Sequence, residues 1–285
     1  MTRKIALTLG DPAGIGPEIV HAALARPDVA ALAEFEVIGH ADGFVPGKST
    51  TDSARAAFDA LEEAAARAMA GEFCAVVTGP VSKHSLHEVG FEFPGQTEFF
   101  AARTQSPNHA MCLTGGRLTV ALVTAHIPLA EVCEALREDE IVRVGRLLLD
   151  FCRRRGRSSP RIAVAGLNPH AGENGDLGRE EMDRIAPAVA RLNAAQEAFV
   201  GPLPPDTVFF RAANGEFDAV LCMYHDQGLI PLKLHAFDEG VNVTLGLPFP
   251  RTSPDHGTAF EIAGRGIARP DSMIAAIRLA AELAR

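Results

Sequence analysis

Short apolar runs alternate with longer amphipathic segments along nearly the whole chain. The runs at 4–9, 35–39, 74–77, 110–113, 118–123, 161–167 and 219–223 are close to continuously apolar, not alternating. That pattern marks strands covered on both faces by helices. Between them, residues 17–25, 53–70, 138–154 and 179–192 carry the helical period, and a short helix opens at Gln96-Thr97-Glu98. The Pro-rich stretch 201–206 reads as a turn ending in Asp206, placed to cap the next helix. Residues 257–263 and 271–284 read as closing helices, the second capped by Asp271. This alternation predicts an α/β protein with a largely parallel sheet and helices on both faces. The apolar pair near 110–123 looks antiparallel and predicts a second lobe.

One stretch departs from the alternation. Residues 217–257 begin as a buried strand and break at Tyr224-His225-Asp226-Gln227-Gly228. Lys233, Asn242 and Arg251 then follow among Gly246, Pro248, Pro250 and Pro254. No single solvated face accommodates these polar groups, so the stretch is expected to bend as the wall of a site. The carboxyl ends of apolar strands are where open α/β sheets bind ligands.

Composition narrows the partners. The chain has 285 residues, 47% of them hydrophobic and 22% charged, with a formal net charge of −9, no Trp and one Tyr. An acidic protein with no Trp and a single Tyr does not suit nucleic acid. A small anionic substrate would instead meet a local basic pocket, which Lys233 and Arg251 can supply. No apolar run has membrane length and no apolar leader precedes the first strand, so a cytoplasmic protein is expected. The five cysteines show no CxxC spacing and read as free thiols.

Two glycine signals are weak. GDPAGIGPE (10–18) has glycines at 10, 14 and 16, not the dinucleotide spacing, but it aims helix-start N–H groups toward a cleft. Gly47-Lys48-Ser49 lacks the four-residue spacing and the leading strand of a P-loop, and reads as a surface turn. Three histidines carry a stronger one. His126, His170 and His225 each sit just beyond an apolar strand. Three imidazoles with an open position form a catalytic divalent-metal arrangement. Zinc suits them; magnesium, manganese and cobalt stay open. Asp226 and Asp206 are the carboxylates expected to orient the ligand rings.

The motifs GDPAGIGPE (10–18), VTGPVSK (77–83), TEFFA (97–101), NPHAGE (168–173), YHDQG (224–228) and NVTLGLPFPRTSPDHGTAFEIAG (242–264) together resemble the 4-hydroxythreonine-4-phosphate dehydrogenase family of vitamin B6 biosynthesis. The resemblance runs in order through essentially the whole chain. It implies a two-lobed fold like isocitrate and isopropylmalate dehydrogenases, here taken as 1–95 with 250–285 and 96–249. It also implies a homodimer with sites at the subunit interface. The implied reaction is NAD- or NADP-dependent oxidation of a 3-hydroxyl, then decarboxylation to 3-amino-2-oxopropyl phosphate. His126, His170 and His225 match the family's metal ligands; Thr97, Lys233, Asn242 and Arg251 match its substrate contacts. Lys233 and Asp226 are the candidate catalytic groups, with Lys233 either a base or an anion binder. Gln96 stands where the family has His, and the chain is shorter than typical members near 41–52. That substitution keeps open a sister dehydrogenase acting on a tetronate 4-phosphate or a dihydrodiol carboxylate. A phosphate acyltransferase is the more distant alternative.

Overall fold

The computed structural model describes residues 3–195 and 198–284. Ten strands are formed among them: β1 (Lys4–Thr8), β2 (Glu34–Ile38), β3 (Ala75–Thr78), β4 (Ala110–Gly115), β5 (Leu118–Leu122), β6 (Ile162–Ala165), β7 (Phe199–Leu203), β8 (Ala219–Cys222), β9 (Val241–Leu245) and β10 (Arg251–Pro254). The chain divides into two compact units, Met1–Pro107 with Val241–Arg285, and Asn108–Gly240. These breaks fall after the expected one near 95 and before the expected one near 249. Gln96 and Thr97 thereby join the same unit as Asn242 and Arg251.

In the first unit the strands run β2-β1-β3-β10-β9, parallel as far as β10 and antiparallel between β10 and β9. The helix Thr51–Met69 covers one face with alanines at 54, 57, 64, 65 and 68 and with Leu61, all at helical spacing. Small side chains let the helix approach the strands closely. Its start is set by a reciprocal capping box between Thr50 and Ser53, two residues before the expected start. Phe58, Phe91, Phe99, Phe100 and Phe249 fill this core, the Phe99 and Phe100 rings meeting edge-on at 5.2 Å. In the second unit the order is β4-β5-β8-β6-β7, antiparallel only at β4–β5. The helix Glu138–Arg154 packs Ile141, Val144, Leu148 and Phe151 inward.

Several expectations are corrected. The Pro-rich stretch after 198 is not a turn but β7, an edge strand where prolines are tolerated because one side of the ladder is unpaired. Residues 241–254 are not a bent wall but the β9–β10 pair. Residues 225–236 form the helix His225–Ala236, despite Gly228 and the interior Pro231. Pro204 and Pro270 occupy the cap positions expected for Asp206 and Asp271, which lie one or two residues inside their helices. Residues 257–263 form turns, not a helix. The glycine loop after β1 spends four of its amides on its own chain. The N–H groups of Asp11, Ala13, Gly14 and Ile15 bond to Pro80 O, Asp11 Oδ1, Asp11 O and Thr258 O. A Cβ on Gly16 would lie 1.8 Å from Leu9 O, so its glycine serves close backbone packing.

Candidate active site

The carboxyl ends of β5, β8 and β6 lie side by side in the second unit, and each leads to one of the three histidines. Buried polar side chains tie these ends together. Thr124 donates its hydroxyl to Met223 O at 2.7 Å. Gln227, 7% exposed, accepts from Met223 N–H at 2.7 Å and donates to Gly166 O at 2.6 Å. Both ends of one amide are thus used to fix β8 against β6. Gln227 was not singled out from sequence, although it sits inside the YHDQG motif.

His126 and His225 face each other across a cavity of about 270 Å³ lined also by Ile127, Leu129, Tyr224 and Asp226. Their ring centroids are 5.7 Å apart. Two imidazoles sharing one cation at zinc–nitrogen distances would stand about 5 Å apart, so the pair fits a small divalent ion with slight closure. Asp226 Oδ1 lies 2.7 Å from His225 Nδ1, which leaves Nε2 as the ring's available nitrogen. Burial, reinforced by the Asp226 charge, raises the Tyr224 phenol above its ordinary range.

His170 is not gathered with them. Its side chain is 61% exposed, with Nδ1 3.4 Å from Glu173 Oε1. Among the described residues no three His, Cys, Asp or Glu side chains are placed to hold a metal ion. The backbone around His170 is unusual. His170, Ala171, Glu173 and Asn174 all have φ between 45° and 58°, with Gly172 at 78°, a run of left-handed residues. Such conformations cost roughly 1 kcal/mol or more each and persist only when neighbours hold them. Glu181 does so. At 2% exposure, its Oε1 accepts from Leu167 N–H and Asn168 N–H, both at 2.7 Å, and its Oε2 from Asn168 Nδ2 at 3.0 Å. Asp206 is exposed, and no hydrogen bond joins it to a histidine among the described residues. Lys233 is half-buried in the helix His225–Ala236.

The first unit holds a different constellation. Arg251 is 2% exposed, the largest fully buried side chain. Its Nη2 donates to Thr78 Oγ1 at 2.6 Å and Gln96 Oε1 at 2.9 Å, and its Nη1 to Thr244 Oγ1 at 3.3 Å. All three acceptors are neutral, and Nε finds none. The guanidinium carbon sits 5.5 Å from the Phe100 ring centroid. Burial pulls this group well below the usual guanidinium range, to about 9, with Glu98 the nearby charge opposing the shift. Strand alternation explains the direction: Thr252, the next residue, points to the opposite face and donates to Ala276 O of the terminal helix. Thr97 is buried and its Oγ1 accepts from Thr244 at 3.4 Å; the Asn242 Oδ1 is buried without a partner. Gln96 follows the cap residue Gly95 and also donates to Gly79 O at 3.3 Å, so its side chain is not a helix cap. Buried donors and acceptors left open in this way ask for a ligand that supplies charge and hydrogen bonds.

A profile of the family described as pyridoxal phosphate biosynthetic protein PdxA matches residues 14–280. A 4-hydroxythreonine-4-phosphate dehydrogenase of Erythrobacter litoralis is 45% identical, covering 99% of this chain and 97% of its own. A D-threonate 4-phosphate dehydrogenase of Pectobacterium atrosepticum is 40% identical with both chains covered completely. The crystal structure of a 4-hydroxythreonine-4-phosphate dehydrogenase from Klebsiella pneumoniae superposes with a TM-score of 0.85 at 40% identity over 100% of both chains. An isocitrate dehydrogenase from Methylococcus capsulatus, 18% identical with a TM-score of 0.54, covers 95% of this chain and 83% of its own and shares the fold alone.

Proposed function

We propose, from the premise that this chain belongs to the PdxA family, that it oxidises 4-hydroxythreonine 4-phosphate with NAD or NADP. The 3-hydroxyl carbon gives up hydride and its oxygen a proton. The resulting β-keto acid breaks its bond to the carboxylate, releases CO₂ and is protonated to 3-amino-2-oxopropyl phosphate. The observation that carries this reading is Arg251, a buried guanidinium among neutral acceptors, which is a seat for a phosphate or carboxylate. Asn242 and Thr97 orient that anionic end beside it.

His126 and His225 are the residues that would hold a divalent cation, zinc, magnesium, manganese or cobalt, and His170, which stands apart from them here, is the third ligand that the family resemblance implies. When bound, the cation supplies Lewis-acid polarisation of a hydroxyl or carbonyl oxygen, and the nicotinamide accepts hydride. Asp226 holds His225 so that Nε2 faces the cavity. Lys233 accepts the hydroxyl proton or neutralises an anion. NADH or NADPH formation from 4-hydroxythreonine 4-phosphate, measured before and after chelation and in His126→Ala and His225→Ala, tests the reading. Full turnover after chelation, or in both variants, overturns the metal assignment. Oxidation of D-threonate 4-phosphate alone would favour the sister reaction, for which Gln96 and the Pectobacterium relative speak.

The active form is proposed as a homodimer. Ile230, Leu234 and Phe237 recur at helical spacing with exposures of 64%, 89% and 75%, an apolar ridge suited to a second copy. Among the described residues no helix is long and apolar enough to cross a membrane, and the cysteines are free, which suits the reducing cytoplasm.

A further inference from the structure

At the other edge of the second unit's sheet, where β5 and β8 begin, a cavity of about 310 Å³ opens between the ends of two helices. It is lined by Arg117, Arg155 and Arg157 and by one carboxylate, Asp218. That carboxylate is already engaged: Oδ1 lies 3.2 Å from Arg157 Nε, and Oδ2 accepts from Arg161 N–H at 2.9 Å. The carboxyl ends of helices Glu138–Arg154 and Pro205–Ala213 add about half a negative charge each. Three guanidinium groups thus gather at one cavity with a single carboxylate, in a protein of net charge −9.

The floor of the cavity points to a ligand independently of charge. Thr114 and Thr119 are 8% and 6% exposed, and their hydroxyls lie 2.9 Å apart. Thr114 Oγ1 also accepts from Arg155 Nη1 at 3.2 Å. Whichever threonine donates within the pair, one buried hydroxyl proton is left over to be given into the cavity. Guanidinium forks and a spare hydroxyl donor match the oxygens of a phosphate group. The volume sits at the lower end of small-ligand pockets. Five residues of β5 separate this edge from His126, so the reaction proposed above does not use it.

We propose that this cavity binds a small phosphate-bearing anion, free or as a compact monoester, through Arg117, Arg155 and the Thr114–Thr119 hydroxyl pair. Two probes test it in the purified protein at constant ionic strength: inorganic phosphate and glycerol 3-phosphate, each read by equilibrium dialysis and hydrogen-exchange mass spectrometry. Slowed exchange in 114–119 and 151–157 is expected on addition of either probe. Occupancy of Arg251 is seen separately, as protection in 76–78 and 244–251. Arg117→Gln/Arg155→Gln should weaken the first response at least about tenfold and leave the second unchanged. Thr119→Val, which keeps every arginine, should weaken it severalfold. Tighter binding of glycerol 3-phosphate identifies an organic phosphate as the ligand, and equal binding identifies free phosphate. No protection in these segments, or equal affinity in the double variant, overturns the proposal.

Discussion

Arg251→Met separates what the buried guanidinium does for binding from what it does to the fold. In the ligand-free protein the charge is held away from water against neutral partners. Its fall to about 9 corresponds to roughly 5 kcal/mol favouring the neutral form. Methionine removes that cost and keeps the contact with Phe100. It also leaves Thr78, Thr244 and the Gln96 carbonyl without a donor, a loss of about 1 kcal/mol each. The difference is a ligand-free protein more stable by about 2 kcal/mol, within the range seen when buried charges are replaced by apolar groups. Catalysis should move the other way. Leaving a substrate anion unpaired costs about 2–5 kcal/mol in kcat/KM, from thirtyfold to several thousandfold.

The pH dependence has a fixed sign. The folded value lies below the unfolded one, so the unfolded chain binds more protons above pH 9. Wild-type stability should therefore gain on the variant's as pH rises beyond about 9, while the penalty is full below it. Urea unfolding of both proteins at pH 7 and pH 10 measures this, with kcat/KM on the phosphorylated substrate alongside. A variant that is less stable at pH 7 yet keeps its kcat/KM would refute the reasoning.

Gln96→His should change the kcat/KM ratio between 4-hydroxythreonine 4-phosphate and D-threonate 4-phosphate by about fivefold to tenfold, because the amide now accepts from Arg251 and an imidazolium cannot. An equal change for both substrates would show that this position does not read their difference. Glu181→Ala strands buried amide donors at Leu167 and Asn168, so unfolding should cost about 2–4 kcal/mol less and exchange at 167–175 should accelerate. Urea midpoints and hydrogen exchange measure both effects. Leu234→Glu places a charge on the exposed ridge of the second unit and should shift sedimentation toward monomer without changing the monomer's circular dichroism.

Much of the architecture was readable where one rule sufficed. The continuous apolar runs at 74–77 and 219–223 became β3 and β8, and the alanine face of 53–70 became a packed helix. Reading failed where two rules competed. Pro231 and Gly228 spoke against a helix that packing of Leu229 and Leu232 nevertheless forms. β10 was obscured by its own chemistry, since an arginine, two hydroxyls and a proline do not look like a core strand. Arg251 was visible as an anion binder, but its burial depends on Phe100 and Thr78, far away in sequence. The strand-end histidines were found by their shared position. The left-handed turn that sets His170 apart is written in NPHAGENG only as two glycines and two asparagines among residues that rarely adopt it.

The discontinuity of the first unit has a consequence for biogenesis. The strands of the second unit all lie between residues 108 and 240, so a nascent chain can complete that sheet before the remainder emerges from the ribosome. The first unit cannot close so early, because β3 pairs with β10 and β10 with β9, both encoded last. Until they arrive, Ala75–Thr78 presents an unpaired apolar edge, the kind that invites association with other chains. Arg251 arrives with that final pair. The anion seat is therefore assembled at the same moment that the exposed edge is sealed, and a chain that stops short of Arg251 cannot hold an anion there.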